Sequence, residues 1–411
     1  MKLSRLFSIT KRLVLHGNSF YYTDSDIMSV AYAAQNLKHL QIIGMSHESS
    51  FNPKAFSCFK GLTDINISQC HRTSLFLGDL IRNNSVTLER LAVEKTMKDP
   101  SIDLGELSKC SRLRKLRISP ACASDMDSPL KQILESCAHL EVLDIHHGST
   151  VTDAAFLKEN SPQVQALAST KRSHKRDRHK MHVSGQGKST LGATIEAQSS
   201  STRQLALQSL MLDKTPHLTD KGLLSLLIQC QHLEKLSLRY VPRVTERMLS
   251  QLPRLCPLLN SLTLDFCQGV TDNVVKRLIR YPLFSEKLKT LSIAGSFITD
   301  KAVEKISRHC RSLRWLNLSW NHRITDKVCP GQKVFYDLAR IIYCCCFFVL
   351  MQSVVFLSEH LQNLKVLEIC SCKKLSSRIL HFLRNFSGHE SEEMKELNLS
   401  EHFLGHCSIY M

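Results

Sequence analysis

The sequence predicts an α/β solenoid in which short parallel strands form one face and helices form the other. Three observations predict it: a leucine triplet that recurs along the chain, a nearly constant step of roughly 26 residues between copies, and cysteine and Thr-Asp motifs that keep the same phase. A fixed period of this length is typical of repeat proteins, in which each unit buries its apolar face only by stacking on its neighbours.

The leucine triplet has the spacing L-x-x-L-x-L, with Ile, Val or Met in some copies. Copies begin at Leu37, Leu62, Leu88, Leu113, Leu140, Leu207, Leu233, Leu259, Leu288, Leu313, Leu364 and Met394, and weaker ones begin at Thr10 and Val164. The first leucine is position zero below. Because side chains alternate along a strand, plus three and plus five are predicted to face the core, and plus two, four and six to face outward. This pattern is a leucine-rich repeat.

A second motif lies at plus eleven to thirteen and predicts the start of a helix. It reads VTD at Val151 and Val270, LTD at Leu218, VTE at Val244 and ITD at Ile324. Helical periodicity follows it, as in DKGLLSLLIQC, where apolar residues recur at i, i+1, i+4 and i+5 from Leu223. Thr219 or Asp220 is placed to cap that helix. Each unit is therefore predicted as strand, turn and capped helix.

Many of the 16 cysteines keep a fixed place in the repeat. They occupy minus three at Cys110, Cys137, Cys230, Cys256 and Cys310, and plus eight at Cys70, Cys267 and Cys372. A solenoid spreads such positions apart, so they are predicted to be small buried apolar residues rather than disulfides or ligands. The start MKLSRLFSITKRLVLHGNS lacks the apolar core of a secretory signal, which predicts free thiols in the cytoplasm or nucleus. No cofactor or metal is predicted.

The whole unit, C-x-x-L-x-x-L-x-L-x-x-C-x-x-[IVL]-T-D, resembles the cysteine-containing repeat of the F-box/leucine-rich-repeat proteins. Its clearest copy is CPLLNSLTLDFCQGVTDNVVKRL, from Cys256 to Leu278. The resemblance implies a ribonuclease-inhibitor-like horseshoe, with strands on the concave face and helices on the convex face. In that family the repeats hold a substrate protein, and a preceding F-box docks the adaptor of an SCF-type cullin–RING E3 ubiquitin ligase. No F-box signature precedes the first repeat, so the adaptor is expected only if an F-box exists upstream.

A polar segment divides the chain into residues 1–168, an insertion at 169–204, and residues 205–411. The insertion is rich in Ser and Thr and nearly free of large apolar residues, which predicts disorder. Its basic cluster consists of Lys171, Arg172, Lys175, Arg176, Arg178 and Lys180. We interpret the cluster as solvated loop charge, with nuclear import or nucleic-acid contact as the alternative.

A second interruption, residues 328–352, lies between the triplets at Leu313 and Leu364. The step between these triplets is about twice the repeat period, and removing the segment restores a single period. The segment is either a tolerated loop insertion or a retained intron translated in frame, and its Val-Cys start and Met-Gln end favour the intron. The apolar run from Ile341 to Leu357, which begins in this segment and continues past it, is 17 residues, shorter than the roughly 20 that cross a membrane. Adjacent cysteines in the run cannot all reach one metal ion.

The predicted function is protein binding without catalysis, because no catalytic motif was found and a solenoid offers a surface rather than a closed pocket. Candidate partner-binding residues are Arg90, Lys115, Arg117, Lys235, Arg239, Asp265 and Trp315 on the outward positions, and Tyr240, Phe266 and Trp320 at plus seven. Exposed aromatic and arginine side chains are typical of binding hot spots; rings packed on the turn and solvated charges are the alternative. We expect substrate recognition for a ubiquitin ligase. The other interpretation is a non-ligase scaffold whose net charge of +17 binds a protein or nucleic acid through a basic face.

Overall fold

The chain forms two compact units. The computed structural model describes residues 9–17, 23–45, 53–94, 104–119, 125–157 and 204–324, and the strands at 340–344, 366–370 and 408–410. The first unit comprises Met1–Ser209 and Thr215–His232, and the second comprises Leu210–Lys214 and Leu233–Met411. The basic cluster at 171–180 lies outside the described residues, so its predicted role stays a prediction.

The first unit contains a parallel sheet whose strands follow chain order. Its strands are β1 (Arg12–His16), β2 (His39–Ile43), β3 (Asp64–Ser68), β4 (Arg90–Glu94), β5 (Lys115–Ile118) and β6 (Val142–Ile145). The register aligns the plus-three residues of successive triplets, so that Leu40 pairs with Ile65 and Leu91 with Leu116. Because β1 belongs to the triplet at Thr10, even the weak first copy forms a repeat strand.

The second unit repeats this arrangement. Its strands are β7 (Ser209–Leu212), β8 (Lys235–Ser237), β9 (Ser261–Thr263), β10 (Thr290–Ser292), β11 (Trp315–Asn317), β12 (Arg340–Cys344), β13 (Val366–Cys370) and β14 (Ser408–Tyr410). Strands β8 to β13 are parallel neighbours in chain order, and β14 pairs antiparallel with β13. The predicted fold class, an α/β leucine-rich-repeat solenoid, is confirmed.

Helices connect many of the strands. The first unit has α1 (Asp24–Ala33), α2 (Leu77–Asn84), α3 (Asp127–Ser136) and α4 (Asp220–Leu227), with 3-10 helices at Pro53–Cys58, Thr73–Leu75, Gly105–Lys109 and Asp153–Ala155. The second unit has α5 (Glu246–Leu249), α6 (Leu252–Leu255), α7 (Asp272–Leu278), α8 (Pro282–Lys287) and α9 (Asp300–His309). Leu291 of β10, Val274 of α7 and Ile306 of α9 line the same interior space. Strand and helix side chains therefore form one layer of core.

The leucine triplets fill that core as predicted. Leu259, Leu262 and Leu264, at positions zero, three and five of one coil, are fully buried. Burying one such side chain contributes about 2 kcal/mol, and the same positions are buried in coil after coil. The core is thus built from the periodic residues that the sequence pattern singled out.

The Thr-Asp motif joins neighbouring coils as well as starting helices. Thr219 caps α4, because its side chain accepts a hydrogen bond from the Lys221 N–H at 3.2 Å. Its own N–H and hydroxyl donate to the carboxylate of Asp153 in the preceding motif, at 2.7 and 2.6 Å. Asp272 and Thr299 form the same pair in the second unit. The threonine therefore caps its own helix, and the aspartate holds the next threonine.

The phased cysteines lie where the repeat predicts. Of the eight cysteines whose side chains the structure describes, seven are buried and none is in a disulfide, whereas Cys372 lies outside the described residues. Cys267 donates to the Leu238 carbonyl at 2.7 Å, which ties one coil to the one before it. Burial raises the pKa of the Cys256 and Cys310 thiols to about 12. They are neutral core residues, as predicted.

Strand β12 lies inside the segment 328–352 that was predicted to interrupt the repeats. Ile341 aligns with Leu316 on one side and with Leu367 on the other, which is the plus-three register. The sequence LARIIY, from Leu338 to Tyr343, has the spacing of a triplet, and the sequence analysis missed it. Because the segment is nearly as long as one repeat, it preserves the phase whether present or absent. Its origin as an intron or a loop stays a prediction.

Candidate protein-binding face

The residue at plus seven turns the backbone after the strand in eight of the coils that the structure describes. It has a left-handed conformation, with φ between 54° and 68°, in Gly44, Gln69, His147, Lys214, Tyr240, Phe266, Gly295 and Trp320. This conformation keeps the sheet bonding beyond the strand, since the Tyr240 N–H donates to the Asp265 carbonyl at 2.9 Å and the Phe266 N–H to the Ala294 carbonyl at 2.7 Å. The left-handed conformation costs a residue that has a Cβ about 1–2 kcal/mol. Large aromatic side chains are therefore unusual at such a position.

Three of these residues bring their rings together in the second unit, and we call Tyr240, Phe266 and Trp320 the aromatic ladder. The rings of Tyr240 and Phe266 are stacked, with centroids 4.6 Å apart and an interplanar angle of 3°. The Phe266 and Trp320 rings are 6.4 Å apart and tilted by 58°. Tyr240 and Trp320 are each 45% exposed. The ladder is an ordered aromatic strip that remains accessible to solvent.

Gly295 makes the ladder continuous across the coil that separates Phe266 from Trp320. A Cβ built on Gly295 would lie 2.5 Å from Cε1 of the Phe266 ring, closer than any real side chain allows. Glycine at plus seven in this coil therefore leaves the space that the Phe266 ring occupies. Gly295 was not among the residues predicted from the sequence, although its place at plus seven, between two aromatic residues in phase, was a usable signal.

Basic groups flank these rings. Lys214 Nζ lies 5.9 Å from the centroid of the Tyr240 ring, within the range of a cation–π contact. Arg323 lies over the ring of Phe297, 5.6 Å from its centroid, and Phe297 is 48% exposed. None of these three residues was predicted from the sequence. Lys214 was identifiable from its plus-seven position, whereas Phe297 and Arg323 follow the strand without a fixed phase.

Two buried carboxylates brace the backbone beneath the ladder. Asp213 accepts from the Ser237 hydroxyl at 2.7 Å and from the Arg239 N–H at 3.1 Å. Asp265 accepts from Ser292 and from the Ala294 N–H, and lies 3.4 Å from Arg239 Nε. Burial raises the pKa of Asp265, although these donors and the arginine act in the opposite direction. Asp265, predicted to face a partner, is instead buried and positions Arg239 and the following coil.

The first unit pairs its outward arginines with acids. Arg90 Nε lies 3.0 Å from Asp64 Oδ2. Arg117 Nε lies 3.1 Å from Asp144, and its NH1 lies 3.5 Å from Glu94. The acids occupy outward positions of neighbouring triplets, so the rule that selected the arginines could also have found them. This face is a mixed-charge ladder rather than a basic surface.

The other candidates lie on the plus-two row. Lys115 is exposed on β5 in the first unit. In the second unit Lys235 is exposed at the start of β8, and the half-buried Trp315 begins β11. The structure therefore joins Tyr240, Phe266 and Trp320 with Arg239 beside them, and leaves Trp315 on a separate row of the same face.

The chain was compared with known proteins. It matches no protein-family model and no curated protein. Among solved structures, a chain in the structure of the yeast Rad7 and Elc1 complex is similar to this one. The match covers 80% of this chain and 69% of the other chain, with 17% identity and a TM-score of 0.49. An internalin from Listeria monocytogenes matches over 96% of this chain and 89% of that chain, with 13% identity and a TM-score of 0.41. These similarities assign neither a family nor a partner.

Within the part of the chain that the structure describes, no group of three or more His, Cys, Asp or Glu side chains is placed to hold a metal ion. Among those residues, too, no helix has the length and apolar character needed to span a bilayer. The aromatic ladder and the sheet face beside it form the candidate binding surface of the second unit.

Proposed function

We propose that this chain binds a protein partner on the outward face of the sheet in its second unit. The observation that carries the proposal is the aromatic ladder, in which Tyr240 and Trp320 stay exposed although all three of its residues take an unfavourable left-handed conformation. Strained, exposed residues of this kind are typical of functional surfaces, and Tyr and Trp are the residues that contribute most to binding hot spots.

We further propose that the partner is a substrate and that the chain is the substrate-recognition subunit of an SCF-type ubiquitin ligase. The support is the cysteine-containing repeat from Cys256 to Leu278, which resembles that of the F-box/leucine-rich-repeat proteins. The same segment supplies Phe266 to the ladder. In this proposal the ladder holds the substrate, and an adaptor joins only where an F-box precedes the repeats.

Binding of nucleic acid through a basic face is the alternative, and the first unit argues against it. Arg90 and Arg117 there contact Asp64, Glu94 and Asp144, so phosphates would have to compete with carboxylates already in place. Such binding requires cations that are available to replace the counterions of the phosphate backbone. The mixed charges suit a protein surface better.

Affinity purification from cells, with the full chain as bait, tests the proposal. The bait is compared with the Trp320→Ala variant and with Leu283→Ala, a control that removes another exposed apolar side chain, on α8. We expect partner proteins that are retained by the parent and by the control but lost with Trp320→Ala. Their ubiquitination should rise when the chain is overproduced with an F-box ahead of its repeats, because the adaptor joins only in that case. Partners that ignore the Trp320 change would contradict binding through the ladder, and unchanged ubiquitination would contradict the ligase role.

A further inference from the structure

The sheet beside the aromatic ladder has a floor of small side chains. Ser237, Thr263 and Ser292 occupy plus four on adjacent strands, and Ala294 and Ser319 occupy plus six. All five are buried. The remaining plus-four and plus-six places of these four coils hold Asn317, Arg239 and Asp265, and the rings of the ladder follow at plus seven in three of the four. The face is therefore a furrow with a low floor and one aromatic wall.

The length of the furrow matches a short extended peptide. The ladder and its floor cross the coils that contain β8, β9, β10 and β11. Neighbouring strands are about 4.8 Å apart, so four coils span about 14 Å, which is about four extended residues. Serine and threonine on the floor leave room for a backbone, and a wall of rings offers apolar contact for its side chains.

The exposed charged residues in the furrow are all positive. Between plus two and plus seven, the five coils from Leu207 to Trp320 contain two acids, Asp213 and Asp265, and both are buried and hydrogen-bonded. The three cations in the same positions, Lys214, Lys235 and Arg239, are exposed, and Arg239 lies 3.4 Å from Asp265 Oδ2, which leaves the two lysines as the main source of positive charge. A partner that enters the furrow therefore meets positive charge, and its carboxylates would be favoured there.

The rings are arranged for contact along their edges rather than for stacking of bases. Tyr240 and Phe266 already stack on each other at 4.6 Å, so no base can enter between them. The Lys214 ammonium lies toward the Tyr240 ring, and Trp320 is tilted against Phe266. Single-stranded nucleic acids bind by stacking on free ring faces. Aliphatic or aromatic side chains of a protein, by contrast, pack well against ring edges.

From these observations we infer that the furrow docks an extended acidic segment of a protein, with a large apolar residue against the aromatic ladder and carboxylates near Lys235 and Lys214. The inference rests on the proposed function, and it specifies the chemistry of the partner. It assigns Gly295 the role of keeping the ladder continuous, and it assigns Tyr240 and Trp320 the apolar contact.

A displayed library of random twelve-residue peptides, selected on the full chain, tests the inference. We expect the selected peptides to be enriched in Asp and Glu and to contain a Leu, Ile, Phe or Trp. Tyr240→Ala and Trp320→Ala should each weaken a selected peptide about 30-fold, as truncation of a hot spot does. Lys235→Glu should weaken it about 5-fold and reduce its salt dependence.

Matched controls separate these effects from damage to the fold. Leu283→Ala removes an exposed apolar side chain and Lys276→Glu reverses an exposed charge, both on helices, and neither should change affinity more than about twofold, the typical effect away from a hot spot. Each variant should also unfold at the temperature of the parent. If Tyr240→Ala lowers that temperature, Lys235→Glu still reports on the furrow.

The outcomes distinguish this inference from the proposed function. Peptides without acidic enrichment, a library that yields no binder, or a selected peptide that ignores the ladder variants would overturn the inference. If cellular partners are still lost with Trp320→Ala in those cases, protein binding through the ladder stands. Tighter binding of a twelve-nucleotide oligouridine than of any peptide would overturn both.

Discussion

Asp272 and Thr299 belong to consecutive coils and are joined by two hydrogen bonds. The Thr299 N–H donates to Asp272 Oδ1 at 2.8 Å, and its hydroxyl donates to Oδ2 at 2.6 Å. Thr299 also caps α9 by accepting from the Lys301 N–H. The Thr-Asp motif is therefore an inter-repeat link, and this explains why both of its residues keep their phase along the chain.

Loss of this link should destabilise the second unit. Asp272→Ala leaves the donors of Thr299 without their acceptor, and we expect the free energy of unfolding to fall by about 1–2 kcal/mol. Asn273→Ala, at the adjacent exposed position of α7, is the control and should change it by less than about 0.5 kcal/mol. Urea unfolding followed by circular dichroism measures both. Equal effects of the two substitutions would show that the link contributes nothing.

A pair of glycine substitutions should act in opposite directions. Gly295→Ala introduces a Cβ into a left-handed residue, φ +59°, and into the Phe266 ring, so we expect a loss of at least about 1–2 kcal/mol. Gly78→Ala lies within α2, where a Cβ meets nothing within 4 Å, and should stabilise by about 0.5–1 kcal/mol.

Thermal unfolding and tryptophan fluorescence distinguish the two glycine variants. Only Gly295→Ala should change the emission spectrum, because displacement of Phe266 alters the surroundings of Trp320. A stabilising Gly295→Ala, or an unchanged spectrum with this variant, would contradict the role given to the glycine in the ladder.

Buried thiols should make stability fall at alkaline pH. The pKa of Cys256 is raised by burial from 9.0 to about 12, so the folded chain retains a proton that the unfolded chain loses. The contribution of this thiol is fully present below pH 9 and is lost as the pH rises from about 9 to about 12, by at most about 1.4 kcal/mol per pH unit.

Comparison of the parent with Cys256→Ala isolates that contribution. The alanine variant should be less stable at pH 7.5, because a buried side chain is shortened, and the difference should shrink above pH 9. Urea titrations at several pH values measure it. A difference that stays constant up to pH 11 would show that the thiol does not titrate on unfolding.

The fold could be predicted in detail from the sequence because the same spacing of apolar residues recurs along the chain. The register of Leu262 against Leu236 and Leu291 follows from period alone, and burial of Cys256 follows from phase. By contrast, no periodic signal in the sequence shows where the Phe266 ring lies relative to the neighbouring coils. That depends on Gly295, whose contribution is the absence of a side chain.

The positions of the outward residues were predicted better than the ion pairs that these residues form. Arg117 was selected for its place in the strand, but its contacts with Asp144 and Glu94 depend on side-chain conformations across three coils. Asp265 occupies an outward position by count and is nevertheless buried, because its carboxylate accepts hydrogen bonds from Ser292 and from the Ala294 N–H of the next coil. Arg239, at the same plus-six position of the preceding coil, stays exposed, so position in the repeat alone does not decide the burial of a polar residue.

Removal of residues 328–352 tests how the second unit tolerates a change in repeat number. Strand β12 lies within this segment, between β11 and β13, and without it the triplets at Leu313 and Leu364 would be a single repeat period apart. Because stability in a repeat stack is roughly a sum over units and nearest-neighbour interfaces, β13 should take the place of β12 beside β11. We expect the shortened chain to fold, to keep its circular dichroism spectrum per residue, and to bind partners through Trp320 as the full chain does.

A second deletion, from Val241 to Phe266, is the matched control for this experiment. It removes one repeat step and so preserves the phase, but it takes away β9 and Phe266, so Tyr240 loses the ring on which it stacks. Partner binding should therefore be lost with this deletion and kept with the other. Aggregation of the chain that lacks 328–352, while the control deletion stays soluble, would show instead that 328–352 is a required coil of the stack.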